Sequence, residues 1–552
     1  MSHSRSYLFY LFSGGLLLLS LFIGIWLGSR GQDDQIPVNN HSPGAAAALP
    51  EPGMLKNEFS PGPWSSDQMA NESTADLGVL GNVQFPARPN EALLIFKTEE
   101  FFQGFPELAR EFHLQIKESL PKFRSIRIGF QESSDFFRFL SEHGDILIYE
   151  DNLIVSVPPI PRSDAQATGL EKPFKNLFFQ SLGIEEVQSE WGQGVKIAIL
   201  DSGVSDHITL EGRVFQMGDF TDQLDEGPVA QSHAHGTAVA SLAAGSHSLA
   251  PGVAPSAEIL SYRILDENGK GDMFALSRAL VQAVDDGVDV INLSLGTYGE
   301  SEIVRMALEY AQAAKVAVVA AIGNDGIEQI AFPANAPNVI SVGSIDANHD
   351  RVWFSNSGES LDLVAPGYQL YAGVPEDGVA MISGTSMSAP LVSGMIAALL
   401  SLDSQLSGLE AGEIIKTYTH DAGLAGRDPE HGGGIPNWRR LTQAEKTGVR
   451  DVGVSGVVLL DEGKTLHIAV QNRGTSIEYN LPVTASFAGQ KVHGAINRLD
   501  PGLSDSAQFS MPIWSDDWIE VTAEVSLPAT DENPDDNEIT RVLLLSREII
   551  NQ

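Results

Sequence analysis

Between residues 192 and 367, short apolar runs alternate with amphipathic stretches, and this alternation constrains the fold more than any other feature. The runs are VKIAILD (195–201), AEILSYRIL (257–265), VDVINLSLG (288–296), VAVVAAIGN (316–324) and VISVGSI (339–345). Between two of them, Ile303, Met306, Ala307 and Tyr310 fall on one face of a helix. The pattern predicts an α/β fold, a mainly parallel sheet covered by helices on both faces. Ligands of such sheets bind beyond the carboxyl ends of the strands.

Three polar residues stand at such ends or at the starts of helices. Asp201 closes the first run, His235 opens the small-residue helix AVASLAAG, and Ser386 opens the apolar helix LVSGMIAALL. Each alone reads as a turn or cap residue. Together they supply a hydroxyl nucleophile, a base to remove its proton, and a carboxylate to orient that base.

With these residues the sequence resembles the subtilisin-like serine proteases, in which the order along the chain is Asp, His, Ser. The matching stretches are ILDSGV (199–204), HGTAVA (235–240) and GTSMSAP (384–390), and the likeness extends over about 172–440. The resemblance implies a serine endopeptidase with Asp201 as the orienting acid, His235 as general base and acid, and Ser386 as nucleophile. Asn324 would be the oxyanion-hole donor, beside the backbone N–H groups at the start of the serine helix.

The resemblance also indicates how a peptide substrate would bind. Its backbone would pair with two strand edges, Gly269-Lys270-Gly271 and Ser294-Leu295-Gly296, and Gly323 would leave room for it. The pocket for the side chain before the scissile bond would be apolar, and Asp325 at its rim would tolerate a basic residue. It would be formed by Leu295, Ala321, Ala331, Phe332 and Pro333.

No cofactor is expected for this chemistry. The family's high-affinity calcium site is not predicted, because the corresponding stretches DHITLEG (206–212) and SHSLAPG (246–252) are short and poor in carboxylates and amides. A weaker calcium site elsewhere is left open by the acid excess. With 34 Lys plus Arg against 72 Asp plus Glu, the formal net charge of −38 disfavours nucleic acid as a partner. The absence of cysteine excludes disulfides and a thiol nucleophile.

The N-terminal 30 residues predict a membrane anchor or a signal peptide. Tyr7 to Gly28 contains 22 residues without a charge, and a bilayer needs about 20. The run exceeds a usual signal-peptide core and no clean cleavage site follows it, which favours an uncleaved anchor with the rest of the chain outside the cytoplasm. Residues 31–90 are rich in Pro, Gly, Ala and acid, which is typical of a disordered linker.

Residues 91–157 predict a small α+β domain: a strand at 92–97, a helix at 106–120, a strand at 127–132, a helix at 133–144 and a hairpin at 145–157. It lies where the resembling enzymes carry an inhibitory propeptide, although its own sequence match is poor. Self-cleavage is expected somewhere in 158–177, a Pro-rich and polar stretch that would otherwise be only a linker.

After a peptidase domain at 178–445, residues 446–552 predict an all-β sandwich of six or seven strands. The stretches QNRGTS, LDPG and ENPDDNEITRVLLL are similar to CARDB-like bacterial adhesion modules, which bind a protein or surface partner or act as spacers. Two functions therefore remain: an active peptidase of extracytoplasmic proteins, or an inert peptidase fold that presents the sandwich for adhesion. The retention of Asp201, His235, Asn324 and Ser386 favours the enzyme.

Overall fold

A computed structural model describes residues 85–159, 169–221, 234–512, 517–527 and 530–544. The predicted span at 7–28 and nearly all of the predicted linker at 31–90 lie outside the described residues. The chain divides into two compact units, and the boundary between their described parts falls between Asp151 and Asn152. Each unit is considered by itself.

The smaller unit follows the order βαββαβ, the split βαβ arrangement. Its strands lie in the order β2-β3-β1-β4. Its elements are β1 (Ala87–Phe96), α1 (Glu99–Glu111), β2 (Gln115–Leu120), β3 (Ser125–Gly129), α2 (Ser133–His143) and the first half of β4 (Leu147–Ser156), a strand whose residues from Asn152 onward belong to the larger unit. Phe96, Phe105, Phe112 and Phe139 fill its core, with the centroids of neighbouring rings 5.1 to 5.6 Å apart. The α+β class predicted for this region is therefore observed.

Two predicted elements of this unit were wrong. The helix predicted for 106–120 ends at Glu111, because His113 takes a left-handed conformation and Gln115–Leu120 pairs antiparallel with β3. The Lys, Glu and Leu residues of Gln115–Leu120 favour a helix, but pairing with β3 in the sheet overrides that preference. The hairpin predicted for 145–157 is the single strand β4. Asp151-Asn152, which resembles a turn, is extended there, and Asn152 is buried.

The larger unit contains the predicted parallel sheet. Seven strands lie in the order β12-β11-β10-β9-β5-β7-β6, and all their pairings are parallel. They are β5 (Lys196–Asp201), β6 (Val214–Asp219), β7 (Glu258–Arg263), β9 (Val290–Leu293), β10 (Ala317–Ala321), β11 (Val339–Ile345) and β12 (Leu363–Pro366). Every residue of β9 to β12 is buried, which requires cover on both faces of the sheet.

Helices and short strands complete this α/β region. The helices are α3 (Phe178–Ser181), α4 (Ala234–Ala244), α5 (Met273–Asp285), α6 (Glu302–Ala313), α7 (Thr385–Leu402), α8 (Gly408–Thr417) and α9 (Trp438–Gln443). The strands are β8 (Lys270–Asp272), β13 (Leu370–Val374), β14 (Gly378–Ile382), β15 (Thr419–His420) and β16 (Ile435–Pro436). Among the described helices, only α7 is long and apolar enough to cross a membrane, and 89% of it is buried inside the protein.

The last part of the larger unit is the predicted β-sandwich. A three-stranded sheet, β17-β18-β21, accompanies a four-stranded sheet, β20-β19-β22-β23. The strands are β17 (Val452–Leu460), β18 (Thr465–Asn472), β19 (Glu478–Phe487), β20 (Gln490–Leu499), β21 (Ser504–Ser510), β22 (Trp518–Val525) and β23 (Glu538–Leu544). The strand β20 was not predicted, because it is an edge strand with most side chains exposed and lacks a strong apolar alternation.

Candidate active site

Asp201 and His235 meet at the carboxyl end of β5, an interior strand of the parallel sheet. Asp201 is the last residue of β5 and is fully buried, and His235 is the second residue of α4. His235 Nδ1 lies 2.9 Å from both carboxylate oxygens of Asp201. The close approach depends on Gly236, since a Cβ there would lie 2.2 Å from the carbonyl oxygen of Gly203. The carboxylate thus orients the ring so that Nε2 faces away from it.

Ser386 is the second residue of α7, and its hydroxyl contacts a neighbouring strand end. Ser386 Oγ donates to the carbonyl of Ser294 at 3.2 Å, and Ser294 Oγ donates to the carbonyl of Ser386 at 2.9 Å. Among the residues with described positions, no hydrogen bond joins Ser386 to His235. The structure therefore brings Asp201 and His235 together and gives the Ser386 hydroxyl a different acceptor.

The side chain of Asn324, three residues beyond β10, is fixed by the start of α7. Asn324 Oδ1 accepts from the backbone N–H and from the hydroxyl of Thr385, each at 2.9 Å. Its Nδ2 therefore points away from Thr385, and it donates to the carbonyl of Pro159 at 3.3 Å. Gly384 has φ of 145°, and a Cβ there would lie 3.0 Å from Asn324 Nδ2. These contacts thus direct the side-chain amide of Asn324 toward the carbonyl of Pro159.

The two predicted substrate-binding edges lie on either side of the chain's own segment at 154–157. On one side, Ile154–Ser156 pairs antiparallel with β8, so that Val155 is opposite Gly271 and Ser156 is opposite Lys270. Val157 N also donates to the carbonyl of Gly269 at 3.0 Å. On the other side, Ser156 and Gly296 exchange both backbone hydrogen bonds, at 3.2 and 3.0 Å. All these residues belong to the larger unit.

The residues predicted to form an apolar pocket are buried next to this edge. Leu295, Ala321, Ala331, Phe332 and Pro333 are all buried. Thr297 and Phe332 exchange two backbone hydrogen bonds at 2.9 and 2.7 Å, which ties the two walls together. Gly323 N donates to Thr385 Oγ1 at 3.3 Å. A Cβ at Gly296 would lie 3.1 Å from the Cβ of Ala331, so a side chain there would crowd the wall.

Two residues at this rim were not identified from the sequence. The Tyr298 hydroxyl donates to the carboxylate of Asp325 and accepts from Asn356 Nδ2 at 2.9 Å. Burial raises the pKa of Tyr298, and its hydrogen bond to Asp325 acts in the same direction. No local signal marks this network, because Thr297-Tyr298-Gly299 reads as an ordinary turn.

Within the described ranges, no group of three or more His, Asp and Glu side chains is placed to hold a metal ion. The stretches 206–212 and 246–252, where the calcium site was not predicted, are both described. There His207 Nδ1 lies 2.9 Å from the hydroxyl of Thr209, so this imidazole has a protein partner.

Comparison with known proteins gives one family model and many relatives. The model described as the subtilase family matches residues 192–437. Subtilisin BL of Lederbergia lenta is 35% identical over 257 residues, which cover 46% of this chain and 92% of that protein. Thermitase of Thermoactinomyces vulgaris is 40% identical over 225 residues, covering 40% and 80%. Alkaline elastase YaB of Bacillus sp. (strain YaB) is 34% identical over 254 residues, covering 46% of this chain and 65% of that protein, less than two thirds of its length.

Proposed function

Because the chain belongs to the subtilase family of serine peptidases, we propose that it hydrolyses peptide bonds with Asp201, His235 and Ser386 as its catalytic triad. One observation carries the proposal. An extended peptide segment already runs between the two strand edges beside Ser386, and one of its carbonyls accepts a hydrogen bond from Asn324. The pairing of this segment with both edges is the backbone pairing that an extended peptide substrate needs, and it brings a carbonyl within reach of the Asn324 amide.

The residues take complementary roles in the reaction. Ser386 Oγ turns about its Cα–Cβ bond, leaves Ser294 and attacks the scissile carbonyl, while His235 Nε2 takes its proton. Such contacts are often made only in the substrate complex. Asp201 stabilises the imidazolium, and Asn324 Nδ2 with the Ser386 N–H stabilises the negative oxygen. His235 returns the proton to the leaving amine, and water then attacks the acyl group in the same way.

The substrates are proteins or peptides bound in an extended form. Their backbone pairs with Gly269, Lys270 and Gly271 on one side and with Ser294, Leu295 and Gly296 on the other. An apolar side chain before the scissile bond fills the pocket beside Phe332. At the rim of this pocket, the carboxylate of Asp325 accepts a hydrogen bond from the Tyr298 hydroxyl.

The regions outside the peptidase domain act in inhibition before maturation, in export or anchoring, and in binding or spacing. The smaller unit acts as an inhibitory propeptide, supported by its position before the peptidase domain and by its α+β fold. The segment at 1–30 exports or anchors the chain, so that the enzyme works outside the cytoplasm. The sandwich at 446–552 binds a protein or surface partner or acts as a spacer.

A serine-directed fluorophosphonate probe tests the triad. The mature protein, freed of its propeptide, should be labelled at one residue, Ser386, and should hydrolyse casein, whereas Ser386→Ala should lose both properties while keeping its unfolding temperature. Equal labelling of the two proteins, or the absence of labelling and hydrolysis from a folded mature wild type, would contradict the proposed function and favour an inert scaffold.

A further inference from the structure

The segment Ile154–Pro159 occupies the substrate position, but a proline stands where a backbone donor is needed. Ser156 and Gly296 exchange both of their backbone hydrogen bonds. In an antiparallel ladder, the next pair of this kind lies two residues further along each strand, in opposite directions. Extended by two residues, this register places residue 158 opposite Ser294, where an N–H at position 158 would donate to the Ser294 carbonyl. Pro158 has no N–H to donate.

The Ser386 hydroxyl takes the place of this missing donor. The Ser294 carbonyl accepts from Ser386 Oγ at 3.2 Å. A serine hydroxyl that donates to a carbonyl keeps its proton, because a carbonyl oxygen is too weak a base to remove it. The nucleophile is thus held by a neutral acceptor instead of by His235, and this acceptor is the carbonyl to which an N–H at residue 158 would otherwise donate.

The oxyanion donor contacts the wrong carbonyl for cleavage in this register. The extended register, with residue 158 opposite Ser294, assigns the carbonyl of Pro158 to the nucleophile. Asn324 Nδ2 instead donates to the carbonyl of Pro159, one residue further on. Pro158 is buried and Pro159 is exposed. The Pro159 nitrogen, which would be the leaving group, carries a ring carbon where other residues carry hydrogen.

We propose that Pro158 and Pro159 are positioning residues that keep the chain's own segment bound in the cleft and uncut between them. The inference rests on the proposed function and concerns the segment Ile154–Pro159, which follows the smaller unit along the chain and belongs to the larger one. The segment competes with substrate, yet it offers no N–H to Ser294 and places no scissile carbonyl on Asn324. It leaves the cleft by dissociation or after cleavage at another bond.

The full-length chain tests this through the position of the cut. The double variant Pro158→Ala/Pro159→Ala regains the N–H at 158 and a leaving nitrogen that becomes a primary amine. Water adds its hydroxyl to carbonyl 158 and a proton to nitrogen 159. N-terminal sequencing should show a new terminus at residue 159, formed at least about tenfold faster than in the wild type, the effect of one recovered buried hydrogen bond. The triple variant with Ser386→Ala should stay intact.

Pro161→Ala is the matched control, since it removes a nearby proline and leaves residues 158 and 159 unchanged. It should behave as the wild type does. Cutting at this bond in the wild type or in Pro161→Ala at the rate of the double variant would overturn the inference. So would a double variant whose Ser386 reacts with the fluorophosphonate but which is not cut at 158–159. A folded double variant that is neither labelled nor cut would overturn the proposed function, and the inference with it.

Synthetic peptides provide a second test, which does not depend on the folding of the double variant. A peptide with the sequence of 150–163 should inhibit the probe-reactive enzyme competitively and be recovered intact. The same peptide with alanine at 158 and 159 should be hydrolysed between these residues. Hydrolysis of both peptides at this bond at similar rates would contradict the role of the prolines.

Discussion

Buried polar side chains occur in two regions of the larger unit: at the carboxyl edge of the parallel sheet, and at the junction between the α/β region and the β-sandwich. The two regions differ in whether these side chains bond only to one another. At the junction, Asp421 N donates to Gln471 Oε1 at 3.0 Å, and Gln471 Nε2 donates to the carbonyl of Thr419 at 3.1 Å. These groups satisfy one another across the junction. At the sheet edge, Asp201 is fully buried but the His235 side chain is 21% exposed, and Asn324 Nδ2 reaches a peptide carbonyl.

The difference teaches that a buried polar group supports chemistry only where one atom of its network stays available to a ligand. Substitutions at the sheet edge should therefore change turnover and leave stability nearly constant. Substitutions at the junction or in the sandwich should change stability and leave turnover nearly constant.

The largest effect is expected for Ser386→Ala. It should lower kcat by about 10⁶-fold, the size known from subtilisin itself when its nucleophile is removed. Ser388→Ala, two residues along α7, is the contrasting variant. Ser388 Oγ lies 3.1 Å from the carbonyls of Ala365 and Pro366, so its loss should cost about 1–2 kcal/mol of unfolding free energy and leave kcat nearly unchanged. Peptide hydrolysis measures kcat, and urea unfolding measures the free energy of unfolding. A comparable loss of kcat in both variants would remove the contrast.

Asn324→Ala should have the next largest effect, a fall in kcat of about 10² to 10³ with little change in KM, again a magnitude known from subtilisin. The reason is that the amide stabilises charge that develops only in the transition state. Asn324→Asp gives the matched control, because it keeps the size and the acceptor for Thr385 but replaces the Nδ2 donor with an oxygen. If kcat were retained in either variant, Asn324 would have only a structural role.

The candidate site residues were predicted from the sequence because each lies in or beside a short motif. Asp201, His235, Asn324 and Ser386 each lie in or next to short motifs at the ends of strands or the starts of helices. The apolar runs also predicted five of the seven parallel strands. The bond between Ser386 and Ser294, the Tyr298 network and the occupation of the cleft by 154–159 were not predictable. They join residues 27 to 165 positions apart, and the pattern of 145–157 fits a strand with any partner.

At the junction, Gly456→Ala should destabilise the protein. A Cβ at Gly456 would lie 1.8 Å from the carbonyl oxygen of Gly423, a backbone atom that cannot move away alone. Overpacking of this kind costs about 1–3 kcal/mol, while kcat/KM at a temperature where the protein is folded should not change. Calorimetry gives the unfolding temperature. Gly104→Ala is the control: it has open space in α1 and should stabilise the smaller unit by up to about 1 kcal/mol. An unchanged unfolding temperature for Gly456→Ala would contradict the tight junction.

Asp451, just before the first strand of the sandwich, should make stability depend on pH. Burial raises the pKa of Asp451 to about 7, and nearby Asp536 acts in the same direction. Its Oδ1 has no hydrogen-bond partner among the described residues. The folded protein binds the proton of the Asp451 carboxyl more tightly than the unfolded chain does, because an Asp carboxyl in the unfolded chain has a pKa of about 4. Proton binding by Asp451 therefore contributes fully to stability below pH 4. This contribution is lost as the pH rises through 7.

Asp451→Asn should remove this dependence. The difference in unfolding free energy between variant and wild type, measured by urea unfolding from pH 4 to pH 8, should grow in favour of the variant as the pH rises. The kcat of the two proteins should keep the same pH profile. Parallel stability curves would show that Asp451 does not titrate in this range.

The smallest effect is expected for Tyr298→Phe, which acts on specificity. The hydroxyl of Tyr298 donates to Asp325 and so occupies a carboxylate at the rim of the pocket. Without this hydroxyl, Asp325 can pair with a basic side chain before the scissile bond. Since Asp325 is exposed, such a pair is worth about 0.2–1 kcal/mol, a rise of about 1.5- to 5-fold in kcat/KM for lysine relative to phenylalanine substrates. Matched peptide p-nitroanilides measure this ratio. Adding Asp325→Asn should cancel the rise; if the ratio still rises in the double variant, the released charge is not its cause.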